Sequence, residues 1–175
     1  MSLIDERFNQ QCTTVSDINE HLPILKKYAS ECSHITELGV RAIVSTWAFL
    51  SGRPKKLVSV DIYHPNHFGA NLDEVYKVCK EENILFDFIQ DSSLEIEIES
   101  TDLLFIDTIH WYAQLSKELK LHSNKVRKYI ILHDTTSCYD DLQPAIDEFL
   151  NDNKNWTVDL VLTSNSGLTV LRRNI

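Results

Sequence analysis

Glycine is scarce in this chain, at four residues in 175, alongside four prolines, four cysteines and one methionine. None of those glycines makes a GxGxxG turn or a GK[ST] loop, so dinucleotide-binding and P-loop readings lose their main support. The cysteines, Cys12, Cys32, Cys79 and Cys138, are scattered with no CxxC pair. That pattern points away from zinc or a disulfide framework and toward reduced structural thiols in a cytoplasmic protein. No apolar run approaches the roughly 18–20 residues of a membrane span. Residues 1–11 are polar and mixed in charge, unlike a signal peptide. Positive charge is short too: 17 Lys and Arg stand against 26 Asp and Glu, for a formal net charge of −9. Such a balance repels phosphate backbones and anionic lipid, so neither a nucleic-acid nor a membrane partner is expected.

What is present fits one domain with a sizeable core, since 43% of the residues are hydrophobic. Residues 1–13 read as a loose arm. Thr14 to Ser30 reads as a helix that Pro23 kinks or splits. The expected division is an N-terminal arm and helix over 1–33 and the main domain over 34–175. From His34 onward, short apolar runs alternate with amphipathic stretches. Strands are expected over Ile35–Gly39, Leu57–Asp61, Ile84–Ile89, Asp102–Asp107 and Val126–His133. Helices are expected over Ser45–Ser51, Asn71–Glu82, Tyr112–Leu121 and Asp141–Asn151, the second with Leu72, Val75, Tyr76 and Cys79 inward and Asn71 as its cap. Runs apolar almost throughout suit parallel strands covered on both faces. The alternation implies a doubly wound α/β sheet with right-handed crossovers. Trp156–Leu162 and Leu168–Leu171 are separated by only five residues, too few for a parallel crossover, so they pair as an antiparallel hairpin.

Ligands of open parallel sheets bind at the carboxyl ends of the strands. Those ends carry Gly39, Asp61, Asp91 with Ser92, Asp107 with His110, and His133 with Asp134. Gly39 lets backbone approach a ligand closely. Ser45 and Thr46 offer hydroxyls at a helix start, where a carboxylate is welcome. Asp61, 22 positions after Gly39, is placed to accept the hydroxyls of a ribose. His110 is a candidate general base. Carboxylates on neighbouring strand ends, Asp107 and Asp134, can hold a hard cation such as Mg²⁺. The plainer alternatives remain a strand–turn–helix connection at Gly39, a solvated loop acid at Asp61, and helix capping at the later pair. Glu95, Glu97 and Glu99 alternate with Ile96 and Ile98 and read as a half-exposed segment, not a metal site.

The runs ELGVRAIVST, VSVDI, QDSS, DLLFIDTIHWY, YIILHDTT and NSGLTVLRR, in this order from His34 to Arg173, resemble the class I S-adenosylmethionine-dependent methyltransferases. The resemblance is nearest the branch of sugar and antibiotic O-methyltransferases and their cephalosporin-tailoring relatives. It implies a Rossmann-like, mostly parallel seven-stranded sheet closed by the antiparallel hairpin, which ordinary nicotinamide-binding folds lack. It also implies S-adenosylmethionine as cofactor and a small-molecule acceptor such as a sugar, with a homo-oligomer left open. Glu37, Gly39 and Arg41 would belong to the cofactor loop, and Ser45 and Thr46 would face the methionine carboxylate. Asp61 would bind ribose, while Asp91 and Ser92 would lie beside adenine. Asp107, His133 and Asp134 would hold a metal, with His110 as base beside Asp107. Two residues depart from the pattern. Ile43 stands where the family has glycine and is expected to crowd the cofactor. His133 replaces an acid, which suits Mn²⁺ better than Mg²⁺. Two other readings stay on the table: a module that keeps the fold without turnover, motivated by Ile43, and a different nucleotide-using enzyme, disfavoured by the hairpin.

Overall fold

The apolar runs become strands in the computed structural model, which describes residues 2–174: β1 (His34–Leu38), β2 (Lys56–Asp61), β3 (Leu85–Gln90), β4 (Thr101–Ile106), β5 (Val126–His133), β6 (Trp156–Leu162) and β7 (Leu168–Arg173). They form one sheet in the order β3-β2-β1-β4-β5-β7-β6. The first five are parallel to one another, and β7 pairs antiparallel with both β5 and β6. This is the doubly wound sheet with a C-terminal hairpin that the sequence pattern predicts. The chain runs outward from β1 to β3, then returns to lay β4 on the other side of β1. Strand order therefore reverses between β1 and β4, where an open sheet forms its ligand crevice.

Alternation within the central strands sends side chains into two separate cores. Ile35, Leu57, Leu103, Phe105 and Ile131 pack under α1 (Leu3–Thr13), α2 (Leu22–Ala29), α3 (Val44–Ser51) and α4 (Leu72–Glu81). Leu38, Val58, Val60, Leu104, Ile106, Ile130 and Leu132 pack on the other face, under α5 (Tyr112–His122) and α6 (Tyr139–Asp152). No helix joins β3 to β4. Residues 91–100 cross that face directly, with Ile98 buried and Glu95, Glu97 and Glu99 exposed, as the alternation predicts. In α4, Asn71 Oδ1 accepts from the Glu74 N–H and caps the helix, but Val78 takes the inward place assigned to Tyr76. Tyr76 instead lies on the surface and stacks edge-on against Phe86.

The N-terminus differs most from expectation. The supposed loose arm is α1, capped by Ser2, whose hydroxyl accepts from the Asp5 N–H. Ile4 and Phe8, one turn apart, anchor it in the core shared with α2 and α3. Arg7 clamps Glu74 through two bonds of 2.7 Å. The single helix expected over 14–30 is instead an irregular, bent segment, one 3₁₀ turn at Asn19–His21, and α2, which takes Pro23 in its first turn. Asn19 explains the break. Its amide accepts from the Ser16 N–H and donates to the Cys12 carbonyl, diverting backbone groups that a helix would use.

Gly39 fixes how closely the ends of β1 and β4 approach. Its φ is +87°, and a Cβ there would lie 2.0 Å from the Asp107 carbonyl oxygen. Gly39→Ala should therefore destabilise the fold by about 1–3 kcal/mol from overpacking and left-handed strain combined. Urea denaturation measures this, and an alanine variant within about 0.5 kcal/mol of the parent contradicts the close approach.

Candidate active site

Two cavities open side by side along the carboxyl edge of the sheet. One, about 390 Å³, lies between the loops after β2, β3 and β4 and is lined by Ile62, Tyr63, Asp91, Ser92, Ser93, Ile109 and Gln114. The other, about 700 Å³, is lined by Val40, Ala42 and Ser45, by Asp134 and His110, and by Val15, Ser16, Asp17 and Ile18 of the N-terminal segment. Gly39, Arg41, Asp61, Phe68, Asp107 and Thr108 border both. Asp61 stands at the junction. Its Oδ2 accepts from the Val40 and Arg41 N–H groups at 2.8 and 2.9 Å, and Oδ1 accepts from the Tyr63 N–H. The acid thus holds the Gly39 loop against the end of β2. Arg41 itself is exposed and pairs with Asp17 at 3.3 Å.

Ser45 and Thr46 do not offer their hydroxyls to the cavity. Both donate to Glu37, Ser45 at 2.5 Å and Thr46 at 2.9 Å, and Ser59 donates to the same carboxylate at 2.7 Å. Glu37 is fully buried. Burial pushes its carboxyl up to about 7, against the pull of the three hydroxyls. A buried carboxylate needs such donors, so the hydroxyl protons of Ser45 and Thr46 are committed to the acid. Glu37 therefore ties β1, β2 and the start of α3 together.

A second buried acid does the same on the other side, and the sequence reading passed over it. Glu118 Oε1 accepts from Ser93 at 2.6 Å, Thr108 at 2.7 Å and Gln114 at 2.9 Å. Burial raises its pKa despite these donors. Ser93, Thr108 and Gln114 all line the smaller cavity, so Glu118 joins the loops after β3 and β4 beneath it. The signal was its helix position: Leu115, Glu118, Leu119 and His122 share the buried face of α5.

Asp107, His110 and Asp134 converge in the larger cavity, their donor atoms all within 4.8 Å of one another, and among the described residues this is the one such group. His110 Nε2 lies 3.2 Å from Asp107 Oδ1 and 3.0 Å from Asp134 Oδ2. Asp134 adopts a left-handed backbone, φ +58°, and its Oδ1 accepts from Ser137. His133 stands behind the acids, its side chain 1% exposed, with Nδ1 3.0 Å from Asp134 and 3.4 Å from Asp107. It therefore backs the donor set instead of facing the cavity. Hydrogen bonds to Asp107 and then Asp134 push His110 up to about 10. Burial opposes protonation of His133, but the two carboxylates outweigh it and raise it to about 10 as well. Burial works to raise both acids, yet the histidines hold Asp107 and Asp134 below the usual carboxylate range. Near neutrality the cluster is two carboxylates facing two imidazolium ions.

Ile43 does not crowd this site. It adopts φ +58° and turns its side chain into the core, 4% exposed, outside the lining of both cavities. The missing glycine shows as backbone strain, not as bulk beside a ligand. Asp91 and Ser92 border the smaller cavity, Asp91 exposed at its rim.

No family model matches the chain, and no curated protein matches it significantly. Solved structures do match in shape. A methyltransferase from Podospora anserina bound to S-adenosylhomocysteine is 17% identical, with a TM-score of 0.65 over 98% of this chain and 88% of that one. An O-methyltransferase from Bacillus cereus in complex with the same compound is 13% identical, with a TM-score of 0.67 over 98% and 90%. One from Streptomyces achromogenes, involved in tomaymycin synthesis and holding S-adenosylmethionine, is 13% identical, with a TM-score of 0.66 over 97% and 90%. The chain has the fold of the S-adenosylmethionine-dependent O-methyltransferases. In that fold the two cavities lie at the switch between β1 and β4, and no described helix is long and apolar enough to cross a membrane.

Two predictions follow from the buried acids and the charged cluster. Glu118→Leu leaves three donors without their acceptor and should cost about 1–3 kcal/mol, while Glu118→Gln, which still accepts, should cost less than about 1 kcal/mol. Equal losses in urea titrations would show that the carboxylate is only filling space. The second concerns pH. His110 and His133 are raised above their unfolded value near 6.5, so their stabilising contribution is complete below that value and lost as pH rises through about 10. Glu37 titrates near 7, mostly below the upper window. The melting temperature should fall between pH 8 and 10, and His110→Gln should flatten the fall. A parent protein whose melting temperature is level across that interval contradicts the charge assignment.

Proposed function

We propose that this protein transfers a methyl group from S-adenosylmethionine to a hydroxyl oxygen of a small molecule. The observation that carries the reading is the meeting of the two cavities at Gly39, Asp61, Asp107 and Thr108, with the charged cluster on one side of the junction. The cofactor would span both. Its adenine suits the apolar walls of Ile62 and Ile109, with Asp91 and Ser92 at the rim, and its ribose meets Asp61. The methionine end follows the Gly39 loop to the first turn of α3, where helix N–H groups favour a carboxylate. The glycine at position 39 lets the chain lie close at the point where the sulfonium would pass.

Methyl transfer is an in-line displacement, so the chain's main contribution is orientation of acceptor and sulfonium. The acceptor would enter the larger cavity, beneath Val15 to Ile18. Trp111, exposed and next to His110 in the chain, could lie on the flat face of a sugar ring or another hydroxylated ring. His110 is in reach of an acceptor hydroxyl beside Asp107 and Asp134. While both acids are ionised it stays protonated at neutral pH, and its base form grows as pH rises toward about 10.

Two carboxylate oxygens and one imidazole nitrogen fit a divalent cation, and the mixed set favours Mn²⁺ over Mg²⁺. Asp107, Asp134 and His110 would hold it, and the ion would supply Lewis acidity that lowers an acceptor hydroxyl's pKa. His110 would then be a ligand and not a base; the two roles are alternatives. A binding-only role loses its motivation with Ile43 in the core, and the convergent acids and imidazole support turnover instead.

Calorimetric titration with S-adenosylmethionine and S-adenosylhomocysteine tests the cofactor half, and methyl transfer to a panel of sugars and phenols, with and without Mn²⁺ or Mg²⁺, tests the acceptor half. Saturable binding of both compounds is expected, and Asp61→Ala should weaken it by about 1.5–3 kcal/mol. Heatless mixing with both compounds sinks the proposal. Without added metal, turnover should climb from pH 7 toward 10 in step with His110, and a flat profile removes His110 as the base.

A further inference from the structure

The segment before the 3₁₀ turn forms one wall of the larger cavity through Val15, Ser16, Asp17 and Ile18, and it carries no regular secondary structure of its own. Something must hold it there. At its far side, Asn165 of the β6–β7 turn donates to the Ser16 carbonyl at 2.9 Å and accepts from the Glu20 N–H at 3.1 Å. On the site side the exposed Arg41 pairs with Asp17 at 3.3 Å, and the buried contact is His133. Its Nε2 lies 3.1 Å from the Asp17 carbonyl oxygen, and its other nitrogen faces Asp134 and Asp107 at 3.0 and 3.4 Å. The buried ring of His21, in the turn that ends the segment, packs edge-on against His133 with centroids 5.6 Å apart.

We propose that His133 is a positioning residue: one imidazole ties the 14–18 segment to the Asp107–Asp134 pair, and so sets the distance between the acceptor cavity's wall and its acids. An imidazole suits this place because its two ring nitrogens diverge, so Nε2 can meet the Asp17 carbonyl while Nδ1 stays within ion-pairing distance of Asp134 and Asp107. An acid at this position would reach neither the segment's carbonyl nor its neighbouring carboxylates favourably. The histidine thus trades a place in a metal's donor set for a mechanical link. Calling the cavity an acceptor site rests on the methyltransferase reading; the link itself does not.

Two substitutions separate the halves of the ring. His133→Asn places its amide near the position of Nδ1 and loses the reach to Asp17. His133→Gln places its amide near Nε2 and keeps that reach. Hydrogen exchange of residues 14–21, measured by mass spectrometry on the full chain, should accelerate at least about tenfold in the asparagine variant and stay within about twofold of the parent in the glutamine variant, at similar melting temperatures. Equal exchange in both variants, or no change in the asparagine variant, overturns the link. Should neither variant fold, the unsubstituted protein still decides it. NMR should detect coupling across the hydrogen bond between His133 Nε2 and the Asp17 carbonyl carbon, and its absence overturns the proposal. Titration of the parent with S-adenosylhomocysteine is the separate arm: failure to bind removes the methyltransferase reading and leaves the exchange result standing.

Discussion

Two carboxylates, Asp107 and Asp134, end neighbouring parallel strands and face one another across a partly buried rim. Like charges held that close, with little water between them, repel strongly unless cations intervene. Much of the site answers to this constraint. His110 reaches in from the cavity side and His133 from the protein side, so each acid has two positive neighbours. A divalent cation held by Asp107, Asp134 and His110 would have to displace the His110 proton, so its binding would strengthen as pH rises. A polar acceptor brought to this rim meets a strong, fixed electrostatic field, the kind of preorganisation that lowers barriers without rearrangement during reaction.

The loops around the rim are held by two more buried acids. Glu37 gathers hydroxyls from α3 and β2, and Glu118 gathers donors from the loops after β3 and β4. They flank the two cavities and replace loop flexibility with polar networks, in which Glu118 holds three donors on Oε1 while its Oε2 is buried without a partner. Backbone strain is present in the same region. Arg41, Ile43 and Asp134 all take positive φ without being glycine. Each such residue costs on the order of 1–3 kcal/mol, sustained only where surrounding contacts over-determine the conformation.

The strands, their order of chemistry-bearing ends, and the final hairpin were legible because their signals are local: an apolar run, a polar residue at its carboxyl end, five residues between two strands. The residue types at the site were legible for the same reason. Directions were not. Ser45 and Thr46 read as donors to a ligand, yet the nearest buried charge, Glu37, claims them. Ile43 read as an obstruction, yet a left-handed backbone rotates its side chain into the core, and sequence does not display φ. The first helix was hidden by its polar surface, although Ile4 and Phe8 already had helical spacing. Glu118 was visible in principle as an acid on the apolar stripe of α5, a placement that always demands buried donors.

On the proposed reading, one extended cofactor bridges the two cavities across Gly39 and brings its reactive centre beside Asp107 and His110. A crystal structure of the S-adenosylhomocysteine complex tests this most directly. The adenine is expected between Ile62 and Ile109, the ribose hydroxyls on Asp61, and the sulfur above Gly39 facing the acid and imidazole cluster. Adenine bound elsewhere, or a sulfur separated from that cluster by the sheet edge, would contradict it.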